Sequence, residues 1–266
     1  MYYPMNKRAW GLIALFFILF FGLWRSGYFQ QEEIHKIQPE IDKEVAGKES
    51  VSEVKSIPEE VDTEQEMSKV KRDPLKTPFI LQAPNAEWDN PLFENACEEA
   101  SLLIVASLFR GNTDVSEKEA RQELLKLAEY QKKTLGHSVD TSLADTQKLL
   151  TDYFEIKESS IRVATTEEDL VTWINEGNIL IIPADGQKLH NPFFTPPGPI
   201  NHMLVVFGYD SKTREFITQD PGTKRGAHYR YQGSVLWQAI RDYPTGATHL
   251  PNTRKDKRVL VIPLEQ

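Results

Sequence analysis

The sequence predicts an α+β domain over residues 74–266 of a 266-residue chain. Two observations lead there. Apolar residues recur at helical spacing in the first half of this stretch, and apolar runs of strand length fill the second half. Helices first and strands later is the order of an α+β domain, whereas βαβ units would interleave them. A third observation limits the domain: no aromatic residue stands between Phe29 and Phe79, so a core cannot begin earlier.

The elements follow in order. Residues 94–109 (ENACEEASLLIVASLF) read as an apolar helix that Gly111 ends. Residues 116–133 read as an amphipathic helix, with Ser116 and Glu119 spaced as a capping box and Leu124, Leu125, Leu127 and Ala128 as the inner stripe. Residues 141–154 repeat the period with Leu143, Thr146, Leu149 and Leu150. A short strand is expected at 160–163. Thr165 and Glu168 open another helix to Asn175, stopped by Gly177. Residues 178–183 (NILIIP) form a buried strand, and a Pro- and Gly-rich connection follows. Residues 202–209 (HMLVVFGY) are apolar on both faces and suit a central strand. A turn at 210–213 returns the chain as a strand at 214–220. A helix at 234–242 and a strand at 258–263 (RVLVIP) close the domain.

Two further pieces precede it. Residues 1–29 are expected to be a transmembrane anchor. The uncharged run 9–24 spans about 24 Å as a helix, Trp10 and Trp24 sit at its ends, and Lys7 and Arg8 place the N-terminus in the cytoplasm. A cleaved signal peptide is the alternative, although no small-residue cleavage site follows Trp24. Residues 30–73 are expected to be a disordered acidic tether. Between Glu32 and Glu66 lie 12 acidic residues and 4 lysines, which account for the whole net charge of −8. The rest of the chain is neutral, which argues against nucleic acid as a partner. With one cysteine, an intramolecular disulfide and a cysteine-rich zinc site are excluded.

The chemistry centres on that cysteine. Cys97 stands near the start of an apolar helix, where unpaired N–H groups and the helix dipole favour thiolate. His202 begins one strand and Asp220 ends the next. A tight hairpin through Ser211 and Lys212 would make them cross-strand neighbours, so the carboxylate could fix the imidazole tautomer. Gln82, fifteen residues before Cys97, offers an amide donor for an oxyanion beside the Cys97 N–H. His190 stands in the connecting loop, while His137, His228 and His249 lack zinc spacing and His35 lies in the tether. Asp185 and Asp210 read as turn residues, and the basic run 254–258 (RKDKR) as a solvated loop.

The segments LQAPNAEWDNPLFENACEEASLL, PPGPINHMLVVFGYD and FITQDPGTKRG together resemble the exported bacterial cysteine peptidase-like domains related to the bacteriocin-processing (double-glycine) peptidases. The resemblance spans about residues 77–263. It implies a papain-like fold with N-terminal helices and a C-terminal antiparallel sheet. It implies Cys97 as nucleophile, His202 as general base and acid, Asp220 as its orienting partner and Gln82 as oxyanion donor. The implied substrate is a peptide or a cell-wall peptide, with no cofactor. One departure stands out: many members of the wider family carry Gly-Pro after the cysteine, and this chain carries Glu98 and Glu99. Two carboxylates there suit the helix dipole but oppose thiolate formation, and the outcome depends on where they point. No transporter or ATPase segment accompanies the domain, so leader processing during export is not implied.

The resulting expectation is a membrane-anchored, outward-facing cysteine hydrolase cleaving an amide bond through Cys97, His202 and Asp220. A catalytically inactive surface-binding module is the alternative, and a transferase using the same residues is not separated by sequence.

Overall fold

A computed structural model describes residues 72–246 and 254–265. The chain divides into two units, Met1–Val61 and Asp62–Gln266, and every described residue belongs to the second. The expected anchor, nearly all of the expected tether, His35 and His249 lie outside the described residues. Among those described, no helix is long and apolar enough to cross a membrane.

The domain opens with a 3-10 turn at Pro74–Lys76 and a short helix α1 (Pro91–Glu94) capped by the Asn90 side chain. Helix α2 (Cys97–Phe109) follows after a break at Asn95 and Ala96. The single helix expected from residue 94 is therefore two, and Cys97 becomes the first residue of the second. All thirteen residues of α2 are buried, the apolar run as expected and Glu98 and Glu99 of the first turn with it. Helix α3 (Glu117–Leu135) has the reciprocal Ser116–Glu119 cap and ends at Gly136, whose φ of 80° suits glycine. Its buried stripe is Ala120, Leu124, Leu127, Ala128 and Gln131. Leu125 packs only partly, one step off that stripe. Helix α4 (Leu143–Asp152) buries the four residues expected of it. Helix α5 (Glu167–Asn175) is capped by Thr166 with Asp169, one residue later than the spacing of Thr165 and Glu168 suggests. Helix α6 (Gly233–Ala239) is shorter than expected.

The six strands are β1 (Ser160–Ala164), β2 (Asn178–Ala184), β3 (His202–Asp210), β4 (Glu215–Gln219), β5 (Tyr229–Gln232) and β6 (Lys257–Pro263). They form one antiparallel sheet in the order β1-β6-β2-β3-β4-β5. Strand β5 is not expected from sequence, because its alternating Tyr229, Arg230, Tyr231, Gln232 has no apolar run. Helices α2, α3 and α4 share one core with Met203, Val205 and Phe207 on one face of β3. Leu204 and Val206, on the other face, share a second core with residues of α5 and α6. Strand β3 is thus buried on both faces, as its unbroken apolar run requires.

The basic run 254–258 is exposed at Arg254, Lys255 and Asp256, as expected of a solvated loop, while Lys257 and Arg258 are half-buried and open β6. Arg254 and Arg258 lie 3.4 and 3.5 Å from the buried Asp242 carboxylate, and Lys257 stands over the Trp237 ring. Asp185 and Asp210 are likewise ion-paired, with Arg241 and Arg230.

Candidate active site

The hairpin β3–β4 brings His202 and Asp220 together, but not by the register that the sequence suggests. The connection is four residues, Ser211–Arg214, and Asp210 faces Glu215. Near the turn, Tyr209 pairs with Phe216 and Gly208 with Ile217. A register shift between Val206 and Gly208 then places Val206 opposite Thr218 and Val205 opposite Gln219. Continued, this puts Leu204 level with Asp220, so His202 reaches the carboxylate diagonally. The shift matters because side chains alternate faces. Without it Asp220 would stand opposite Val205 and point to the other side of the sheet from His202.

Asp220 is fully buried and every oxygen is used. His202 Nε2 lies 2.8 Å from Oδ1, which also accepts from the Gly222 N–H at 3.0 Å. Oδ2 accepts from the Tyr231 hydroxyl at 2.5 Å and from Asn191 Nδ2 at 3.3 Å. Burial pushes the Asp220 carboxyl up, but the His202 charge and these donors outweigh it and leave it below its ordinary range. A carboxylate can only accept, so Nε2 carries a ring proton and donates it to Oδ1. Phe194 packs edge-on against the ring at 5.2 Å. Gly222 closes over it: a Cβ at 222 would lie 2.7 Å from His202 Cε1 and 3.1 Å from Phe194 Cε1.

Cys97 lies at the first turn of α2, and no side chain caps that end. Among the described residues the Cys97 N–H makes no hydrogen bond. Its thiol does not bond the His202 ring. It donates instead to Glu98 Oε2 at 3.1 Å. Burial, Glu98, Glu99 and Asp140 together push the thiol well above its ordinary range. The structure thus answers where the two glutamates point: both are buried, each 1% exposed, and Glu98 meets the sulfur directly. Glu98 Oε1 accepts from the Tyr243 hydroxyl at 2.7 Å and from the Thr141 N–H at 3.0 Å. Burial still raises Glu98, and raises Glu99 further, helped by the neighbouring Glu98 charge. Glu99 Oε2 has no partner.

Gln82 reaches the site but its amide is already engaged. Nε2 donates to Phe93 O at 3.0 Å and to Glu94 O at 2.8 Å, while Oε1 is buried without a partner. It therefore braces the chain just before Cys97, and donating to an oxyanion requires releasing one of those carbonyls.

Cys97, His202 and Gln82 all line one cleft of about 500 Å³, and Gly222 and Phe194 line it too. Trp88, Ile200 and Asn201 form further walls, and Asp140 is on its lining with burial and the Glu98 charge raising its carboxyl to about 7. His190, His137 and His228 are exposed and outside this lining. Among the described residues no group of His, Cys, Asp or Glu could hold a metal ion. Sequence reasoning missed Asn191, Tyr231, Tyr243 and Asp140. Their signal is absent from the local sequence, since each acts through a partner between 11 and 145 positions away.

A family model described as the Peptidase_C39-like family matches residues 75–244. The chain is also similar to a crystal structure described as a C39-like peptidase from Bacillus anthracis, at 15% identity and a TM-score of 0.40, covering 73% of this chain and 98% of that one. No curated protein matches the chain.

Proposed function

The chain belongs to the peptidase C39-like family, and from that premise we propose that it is a cysteine hydrolase of peptide bonds in which Cys97, His202 and Asp220 act together. The observation that carries the reading is the buried His202–Asp220 pair at 2.8 Å, opening onto the cleft that Cys97 also lines. Asp220 fixes the tautomer and leaves Nδ1 as the base. In the reaction the Cys97 S–H proton moves to Nδ1 as the sulfur–carbon bond forms. Nδ1 then returns the proton to the leaving amine, and water hydrolyses the acyl-enzyme. The unbonded Cys97 N–H at the start of α2 is the first donor for the oxyanion, and Gln82 becomes the second once it releases a carbonyl.

A second reading, a binding module that no longer cleaves, is favoured by the thiol's bond to Glu98. Turnover of a peptide library separates the two. Loss in Cys97→Ala and in His202→Ala, with the melting temperature kept, supports the hydrolase; equal turnover in Cys97→Ala sinks it.

The N-terminal apolar run extends the proposal to location: the domain is held outside the cell membrane by residues 9–24. External protease on intact cells should remove the domain. Protection until lysis would contradict this.

A further inference from the structure

We propose that Glu98 is a positioning residue that parks the Cys97 sulfur away from His202 and must release it before each attack. The inference rests on the hydrolase reading above and adds to it a resting state. The geometry carries it. Glu98 is held from three segments: the thiol on its own helix, the Thr141 N–H from the α3–α4 connection, and the Tyr243 hydroxyl beyond α6. Tyr243 is itself fully buried and Glu98 is 1% exposed, so the carboxylate cannot swing into solvent. Its Oε2 is the atom that receives the thiol, and the His202 ring receives nothing from Cys97.

The groups facing Glu98 are Cys97 and Glu99 on α2, Asp140 and the Thr141 N–H from the α3–α4 connection, and Tyr243 from the far side. None of them is a cation. Nothing in this set stabilises a thiolate, so the sulfur rests as a hydrogen-bond donor. Productive attack then breaks the S–H···Oε2 bond and passes the proton to His202 Nδ1. The sulfur electron pair forms the bond to the carbonyl carbon. Glu98 gains no proton in this sequence.

The test uses the full chain, whose only cysteine makes alkylation report Cys97 alone. Iodoacetamide rates are measured across pH for the native chain and Glu98→Gln, which keeps the side-chain size but removes the charge. The profile should move to lower pH, with the rate at pH 7 rising about tenfold for each unit moved. A profile that stays put, or moves to higher pH, overturns the proposal. If Glu98→Gln does not fold, Tyr243→Phe removes one donor and leaves the carboxylate more readily protonated. It should give a smaller shift in the same direction, and no shift in that folded variant also overturns the proposal. Peptide turnover by His202→Ala keeps the two ideas apart. Retained turnover there removes the hydrolase reading. Lost turnover there with an unmoved Glu98→Gln profile removes only the role of Glu98.

Discussion

The two halves of the cleft treat a buried carboxyl in opposite ways. On the sheet side, Asp220 is fully buried yet held below its ordinary range, with four donors of which the His202 imidazole, able to carry positive charge, is one. On the helix side, Glu98 has three donors and is still raised, because none of them is a cation. Glu99 has an oxygen without a partner and is raised further. Burial pushes all of them the same way, and the sign is decided by whether a positive charge answers it. The difference teaches that the sheet side is organised to hold a carboxylate ready for the positive charge His202 gains in the reaction, and the helix side around a proton kept in place.

The largest expected effect comes from breaking the sheet side. Asp220→Asn keeps the shape but removes the charge that fixes the tautomer, and turnover should fall on the order of 10²–10⁴-fold. A change under tenfold, measured as kcat/KM on the same peptide, would break the comparison. Next comes Gly222→Ala. Its methyl would stand 2.7 Å from the His202 ring and 3.1 Å from Phe194 at the edge of the second core, so the ring must move and Phe194 must give slightly. Turnover should drop about 10²-fold, as for a displacement of about 1 Å, with the melting temperature lowered only slightly.

The helix side predicts a pH dependence of stability. Asp140 at about 7, with Glu98 and Glu99 also raised, contributes stability that is present below the unfolded carboxyl pKa and lost as pH rises through the folded values. Asp220, lowered, contributes in the opposite sense: its stability is present above its unfolded pKa and lost as pH falls through the folded one. Melting temperature should therefore be higher near pH 5 than near pH 8 and should fall again in strong acid. Glu99→Gln should flatten the slope between pH 5 and 8; an unchanged slope would show that Glu99 is ionised in the fold. The smallest effect is Tyr231→Phe, which removes one of four donors to Asp220. A loss of about 1–2 kcal/mol is expected, with the alkylation profile of Cys97 unmoved.

Most of the fold was legible because period and capping are local. The capping box at Ser116, the stripes of α3 and α4, and the doubly buried β3 all follow from neighbours within a few positions. Strand β5 was not, because its support is pairing with β4 rather than its own polarity. The sequence also carried the pairing of His202 with Asp220, although through a register that the fold does not use.

By itself the sequence determined which residue types are available: one thiol, a histidine at the start of one strand, an aspartate just after the next, and two carboxylates after the thiol. Their order along the chain also sets Cys97 at a helix start. Only the tertiary structure decided how they meet. The bulge after Val206 turns Asp220 toward His202, and the closeness of Gly222 fixes the ring. Tyr243, 145 positions from Glu98, turns a surface-looking acidic pair into a buried one that receives the thiol. The physical reason is that period and caps are properties of a segment. Burial, and the charge that answers it, are properties of what other segments bring alongside.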